Sequence, residues 1–300
     1  MRILLTGGTG FIGSYLTDFL NDKGHHCDIL TRSPKKYKSQ KSELRKFYHS
    51  DDTDSLQKLV DSADVIINLA GENLFDQRWN ETVKERIVES REKITRMLSK
   101  AILRSENPPK VFVSASAVGI YGNRGDEVLT EESEPADDFL AEVCKKWEAA
   151  SLVATEKTRV VNPRIGIALE KDGGALSKML LPFKLFAGGP LGNGKQYFPW
   201  IHVHDICDAI YFSIENEKMH GAFNLAAPES VTMGEFAKNL GKALHRPSFF
   251  SVPEFALKLT VGEASEALTA SQRVEPKALL DAGYEFKYSD LSAALEDILK

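Results

Sequence analysis

Short apolar runs alternate with longer amphipathic stretches through the first half of the chain. Ile3 to Thr6, Cys27 to Thr31, Lys46 to His49, Val65 to Leu69, Val111 to Ser114 and Arg159 to Asn162 read as strands. Between them the longest helical stretch runs from about Asn80 to Ser105 and is stopped by Asn107-Pro108-Pro109. Another runs from about Asp137 to Thr155, with Asp137 or Asp138 as N-cap. Strands alternating with helices imply right-handed crossovers, so the expected fold class is α/β, a doubly wound parallel sheet of Rossmann type covered on both faces.

The alternation stops after Arg164. Asp172-Gly173-Gly174 and Ala187-Gly188-Gly189-Pro190-Leu191-Gly192-Asn193-Gly194 punctuate the chain as loops leaving one core for another do. Trp200 to Val203 and Ala222 to Leu225 read as returns to the sheet, followed by helical segments around an extended Ser248 to Val252. The expected division is a dinucleotide-binding domain over residues 1–165, with 200–228 returning to the sheet, and a smaller C-terminal substrate lobe from 166–199 and 229–300.

An apolar content of 42% in 300 residues is enough for a large core. The net charge of -5, with both signs interspersed, gives no footprint for nucleic acid or an anionic membrane as partner. Cys27, Cys144 and Cys207 are too few and too scattered for a disulfide framework or a zinc knuckle, so a reducing, cytoplasmic setting is expected. No apolar run reaches a membrane span, and Met1 to Thr6 meets glycine too soon to begin a signal peptide.

The chemistry begins at Thr6-Gly7-Gly8-Thr9-Gly10-Phe11-Ile12-Gly13. Gly7, Gly10 and Gly13 follow a strand and open an amphipathic helix. Glycine lets the backbone approach a pyrophosphate, and the helix N-terminus supplies free N–H groups and a positive dipole end. At the end of the second strand an acid would bond a ribose 2′-hydroxyl, whereas a base accommodates a 2′-phosphate. The sequence there is Thr31-Arg32-Ser33-Pro34-Lys35-Lys36, and Arg32 with Ser33 argues for NADP(H) over NAD. Asp51 or Asp52 is placed at the adenine edge, and Leu69-Ala70-Gly71 along the rest of the cofactor.

Together with Asn68-Leu69-Ala70-Gly71, Ser114-Ala115-Ser116 and Tyr121-Gly122, the glycine turn resembles that of the extended short-chain dehydrogenase/reductases, the epimerase/dehydratase group. Pro163-Arg164 and Phe198-Pro199-Trp200-Ile201-His202-Val203-His204-Asp205 resemble two further blocks of that family, and Arg164 is counted with the cofactor site on this ground. The resemblance implies NAD(P) on the first domain and a substrate, in the family a nucleotide sugar, against the C-terminal lobe.

Members of that family act through a serine, a Tyr-x-x-x-Lys pair and an asparagine. Ser116 matches the serine, but Leu140 stands in the tyrosine's place, Cys144 in the lysine's and Arg91 in the asparagine's. This combination resembles the atypical subgroup labelled "epimerase family protein", and Ser271-Gln272-Arg273-Val274 with Pro276-Lys277-Ala278-Leu279 fits its small C-terminal domain. The usual lysine lowers the tyrosine's pKa and holds the nicotinamide ribose; a cysteine supplies no positive charge, whereas Arg91 restores one. The candidate proton carriers are Ser116, Tyr121, Cys144 and Glu72.

His202, His204 and Asp205 lack a further ligand at telling spacing, so no metal is expected, and Asp205 is assigned as the cap of a helix from Ile206. Ile94, Leu98 and Ile102 suit a homodimer interface and equally an ordinary core. Two functions follow: an NADP(H)-dependent oxidoreductase or epimerase-like enzyme of open substrate, or a non-catalytic NADP(H)-binding sensor.

Overall fold

The computed structural model describes residues 1–50 and 53–300, so the expected adenine contact at Asp51 or Asp52 lies outside the described residues. Strands β1 (Arg2–Thr6), β2 (His26–Thr31), β3 (Arg45–His49), β4 (Val65–Asn68) and β5 (Val111–Ser114) alternate with helices α1 (Phe11–Asp22), α2 (Thr53–Asp61) and α3 (Glu81–Arg104). Then come α4 (Phe139–Leu152), the strand Arg159–Ile165, α5 (Gly174–Lys184), α6 (Val203–Glu215), the strand Gly221–Leu225, α7 (Met233–Leu244) and α8 (Glu254–Val261). Asn80 caps α3 by accepting from the Val83 N–H, and Asp138 caps α4 by accepting from that of Ala141.

Successive side chains of a strand point to opposite faces, and the apolar runs use both. Ile3 and Leu5 of β1 join a core with Leu16 and Leu20 of α1 and Ile206 and Ile210 of α6. Leu4 faces the other way, packing with Leu30, Ile66 and Phe112 against Leu56 and Val60 of α2 and Leu98 and Ile102 of α3. Each such fully buried side chain contributes about 1.5–3 kcal/mol. Leu98 and Ile102 are therefore spent on the chain's own core and are not available to a dimer face.

All strands of the main sheet are parallel, in the order Gly221–Leu225, Arg159–Ile165, β5, β4, β1, β2, β3. The chain winds outward from β1 through β3 and then jumps to β4 on β1's other side. Ligands of doubly wound sheets bind outside the carboxyl ends of the strands at this reversal.

Gly221–Leu225 returns to the sheet beside Arg159–Ile165. The expected return at Trp200 to Val203 takes another form: Trp200–His202 pairs in parallel with Ile167–Glu170, away from the main sheet. The place next to Arg159–Ile165 is already filled by Gly221–Leu225, which leaves no edge there for a further strand. Asp205 is not the cap of α6 either. The His202 ring caps it by accepting from the His204 N–H at 3.0 Å, while the Asp205 carboxylate accepts from the N–H groups of Lys287 and Tyr288 and ties down the C-terminal segment. A separate core joins Leu176, Leu180 and Phe183 of α5 to Phe236 and Leu240 of α7 and to Leu291, Leu295 and Ile298 of the helix Leu291–Leu299.

Candidate functional site

The glycine turn leaves no room for side chains. Gly7 has φ 73°, and a Cβ on it would lie 2.5 Å from the Leu69 carbonyl carbon; one on Gly13 would lie 2.1 Å from the Gly7 oxygen. The turn is closed by the Gly10 N–H donating to the Gly7 carbonyl at 2.9 Å. Gly10 caps α1 without a side-chain bond, and the first turn carries no acid. The free N–H groups and positive end of α1 thus remain open to an anion, as an N-terminus without a side-chain cap requires. This is a cradle of the polarity a pyrophosphate needs.

Thr9, Gly10, Phe11, Ser14, Asp172 and Gly173 are among the residues that line a cavity of about 490 Å³. The Phe11 ring packs so closely on Gly173 and Gly174 that neither could carry a side chain unshifted. Gly8 is held against the Leu5 and Ile29 side chains, and Ile12 packs on the core under α1.

Across the carboxyl ends of three strands, Thr6, Asn68 and Ser114 are register partners. The Thr6 hydroxyl donates to Asn68 Oδ1 at 2.6 Å, and Asn68 Nδ2 donates to Thr95 Oγ1 at 2.8 Å and Ser114 Oγ at 3.3 Å. All four residues are buried. The network pins the start of Leu69-Ala70-Gly71, whose Leu69 N–H donates to the Thr6 carbonyl. Arg32 and Ser33 follow β2 and are exposed, and among the described residues no hydrogen bond or ion pair engages the Arg32 guanidinium.

Arg91 lies behind Gly71. Its guanidinium stacks on the Trp147 ring, 5.1 Å from the centroid, and donates to the carbonyls of Ile87 and Glu72, both at 3.0 Å. Burial lowers its pKa, and the nearby Glu72 carboxylate only partly offsets this. The charge is therefore directed at main-chain carbonyls.

A second row of register partners joins Ser116, Arg164 and Asn224. The Ser116 hydroxyl donates to Glu148 Oε1 at 2.6 Å. Arg164 grips the same carboxylate with both arms, Nε to Oε1 at 2.9 Å and Nη2 to Oε2 at 3.0 Å. Its Nη1 donates to the Tyr121 hydroxyl at 2.9 Å, which in turn donates to Asn224 Oδ1 at 2.7 Å. Burial by itself would lower the Arg164 pKa, but the hydrogen bonds and charge of Glu148 outweigh it and raise the pKa above the ordinary range. The Tyr121 pKa is raised, chiefly by burial. Burial, reinforced by the charge of Glu148, pushes the Cys144 thiol up to about 12, so it is a neutral thiol at physiological pH. Leu140 sits in the first turn of α4 and packs its Cβ toward Gly119.

The structure brings Ser116, Tyr121 and Arg164 into one cluster, with Cys144 and Arg91 behind it and the glycine turn beside β4. Two members went unread in the sequence. Glu148 had a usable signal, one helical turn beyond Cys144 on the same helix; Asn224 had none, being distant in sequence from everything it touches.

The parallel sheet and the glycine cradle at its switch point define a Rossmann-type dinucleotide-binding protein, with a separate core around α5 and α7. The chain belongs to the NAD dependent epimerase/dehydratase family, whose profile matches residues 3–226, and a domain of unknown function, DUF1731, matches residues 252–298. It is 38% identical over 303 residues to the mouse epimerase family protein SDR39U1, covering 100% of both chains. It is 39% identical over 301 residues to the epimerase family protein YfhF of Bacillus subtilis, covering 100% of this chain and 98% of that one. The crystal structure of human SDR39U1 (isoform 2) with NADPH superposes with a TM-score of 0.91 at 37% identity, over 99% of each chain.

Proposed function

We propose that this chain is an NADP(H)-dependent oxidoreductase or epimerase-like enzyme. Residues 1–165 and 200–228 form its cofactor side, and 166–199 and 229–300 receive the substrate. The N–H groups of the Gly7 to Gly13 turn would hold the pyrophosphate, with Leu69, Ala70 and Gly71 alongside, and Arg32 with Ser33 would take the 2′-phosphate. The NADPH in the human relative's structure supports this choice of cofactor. When bound, the cofactor supplies or takes the hydride.

The observation that carries the enzymatic reading is the Ser116 to Glu148 hydrogen bond. Ser116 Oγ would accept the proton of a substrate hydroxyl as its own passes to Glu148 Oε1, and return it in the reverse direction. Tyr121, a candidate proton carrier from the sequence, has its hydroxyl committed to Arg164 and Asn224 and is fully buried, so its proposed part is to position Arg164. Arg91 would shape the Leu69 to Glu72 loop and Cys144 would fill space beside Ser116. Arg164 would hold Glu148 rather than the cofactor.

Purified protein is to be screened for NADPH consumption with carbonyl compounds and for epimerisation of nucleotide sugars. Turnover abolished by Ser116→Ala supports the reading. The neutral Cys144 thiol and the committed Tyr121 hydroxyl favour a second one, an NADP(H)-binding sensor, and tight NADPH binding without turnover across the panel would select it.

A further inference from the structure

The C-terminal lobe carries large apolar side chains that no other described residue covers. At the end of α5, Leu181, Leu185 and Phe186 are exposed, and Phe186 is held at φ 61°, a conformation a bulky side chain rarely adopts. The neighbouring segment presents Phe249, 75% exposed, with the Phe250 ring tilted beside it at 5.4 Å. The Phe250 N–H donates to the Gly188 carbonyl, so this segment and the loop after α5 are one surface. In α8 only Leu257 is buried, while Phe255 and Leu259, one turn apart on the opposite face, stand 69% and 71% exposed.

These side chains are interleaved with positive charge. Lys184 sits between Leu181 and Leu185, Lys258 between Phe255 and Leu259, and the Arg246 guanidinium lies over the Phe186 ring at 4.5 Å. From 173 to 200 the chain has three lysines and no acid; from 236 to 262 it has Lys238, Lys242, Arg246 and Lys258 against the single acid Glu254. In a chain of net charge -5, Lys184, Arg246 and Lys258 thus stand among the most exposed apolar side chains, with Glu254 the acid beside Phe255 and with Asp172, Glu235 and Glu263 just outside these stretches.

We infer that the surface formed by the end of α5 and the Phe249–Phe250 segment docks on a bilayer rich in anionic phospholipid, with its phenylalanines and leucines entering the acyl boundary and Lys184 and Arg246 meeting the headgroups. Exposed aromatic and aliphatic side chains alternating with Lys and Arg are the pattern of an interfacial anchor. A second copy is disfavoured by charge, because a two-fold contact sets a patch against itself and would oppose these cations to one another. Protruding side chains also suit a deformable lipid interface, which requires no matching groove.

The test is flotation of the full chain, saturated with NADPH, with vesicles of phosphatidylglycerol and phosphatidylcholine or of phosphatidylcholine alone, at about 0.1 M salt. Binding at least about tenfold stronger to the anionic vesicles is expected, falling about fivefold for each of Lys184→Gln and Arg246→Gln. The double variant Phe249→Ser/Phe250→Ser should lose about tenfold more. Unchanged NADPH fluorescence would confirm that each variant is folded. No binding to anionic vesicles would overturn the proposal, as would binding insensitive to these substitutions. So would a stable dimer in solution that Phe249→Ser/Phe250→Ser dissolves, because the patch would then be an interface between copies.

Discussion

The Ser116 hydroxyl and the Glu148 carboxylate meet at 2.6 Å although they come from different elements, Ser116 from a two-residue strand in register with Arg164 and Glu148 from α4. Arg164 holds the carboxylate by two further bonds, so the serine faces a fixed, paired acceptor. Five expectations follow from this arrangement and its surroundings.

Glu148→Gln should destabilise the protein. It removes the countercharge of a guanidinium whose side chain is only 9% exposed. Leaving a buried ion without its partner costs about 3 kcal/mol. Urea unfolding measures this, and a change below about 0.5 kcal/mol, the level of an ordinary surface substitution, would mean the pair contributes no stability.

Arg32→Ser should weaken NADPH binding by about tenfold or more, the worth of a charge-assisted hydrogen bond, and leave NADH binding nearly unchanged. Nicotinamide fluorescence titrations compare the two. Equal losses for both nucleotides would remove Arg32 from the 2′-phosphate site.

Arg91→Ala should both destabilise the fold and weaken NADPH binding, since the guanidinium stacks on Trp147 and ties Glu72 to α3. A loss of about 2 kcal/mol in unfolding is expected for a partly buried charged hydrogen-bond donor. If stability and cofactor affinity both stay at wild-type values, Arg91 does not support the Leu69 to Glu72 loop.

None of the three cysteines should react with Ellman's reagent at pH 8 in the native protein, and all three should react once it is unfolded. Burial pushes the thiols of Cys27, Cys144 and Cys207 each up to about 12, and it is the thiolate that reacts. Rapid native labelling of Cys144 would show instead an accessible, activated thiol.

Stability should fall as pH drops from about 6.5, the ordinary histidine value, toward 4. Burial lowers the His202 pKa to about 4, so in this window the unfolded chain takes up a proton that the folded chain refuses. The contribution is fully present above the unfolded value and lost as pH falls through the folded one. His202→Asn keeps an N-cap acceptor for the His204 N–H and should flatten this part of the profile. An unaltered profile would assign the acid sensitivity to other groups.

The main-sheet strands, α1, α3 and α4 were legible to within a few residues, because apolar periodicity, caps and prolines act over one or two turns of chain, whereas Ile167–Glu170 was not read as a strand. The Gly7 to Gly13 turn was equally legible, its requirement being steric and local. Trp200 to Val203 was legible as a strand but not in its partner, since its own apolar pattern cannot say that Gly221–Leu225 occupies the sheet edge. Nor does spacing separate a dimer face from a core: Ile94, Leu98 and Ile102 look alike for both, and only packing against β4 and β5 shows where Leu98 and Ile102 go.

The sequence by itself determined the α/β winding and the glycine cradle, both of which depend on neighbours in the chain. Only the tertiary structure decided what surrounds Ser116. Ser116, Tyr121, Glu148, Arg164 and Asn224 come from five separate segments, and their hydrogen bonds exist only once β5, α4 and the strands Arg159–Ile165 and Gly221–Leu225 have packed together. Charge divides the same way: the total of -5 is a property of the composition, whereas the basic and apolar surface at Phe186, Arg246 and Phe249 forms only when α5 and the segment before α8 fold against each other.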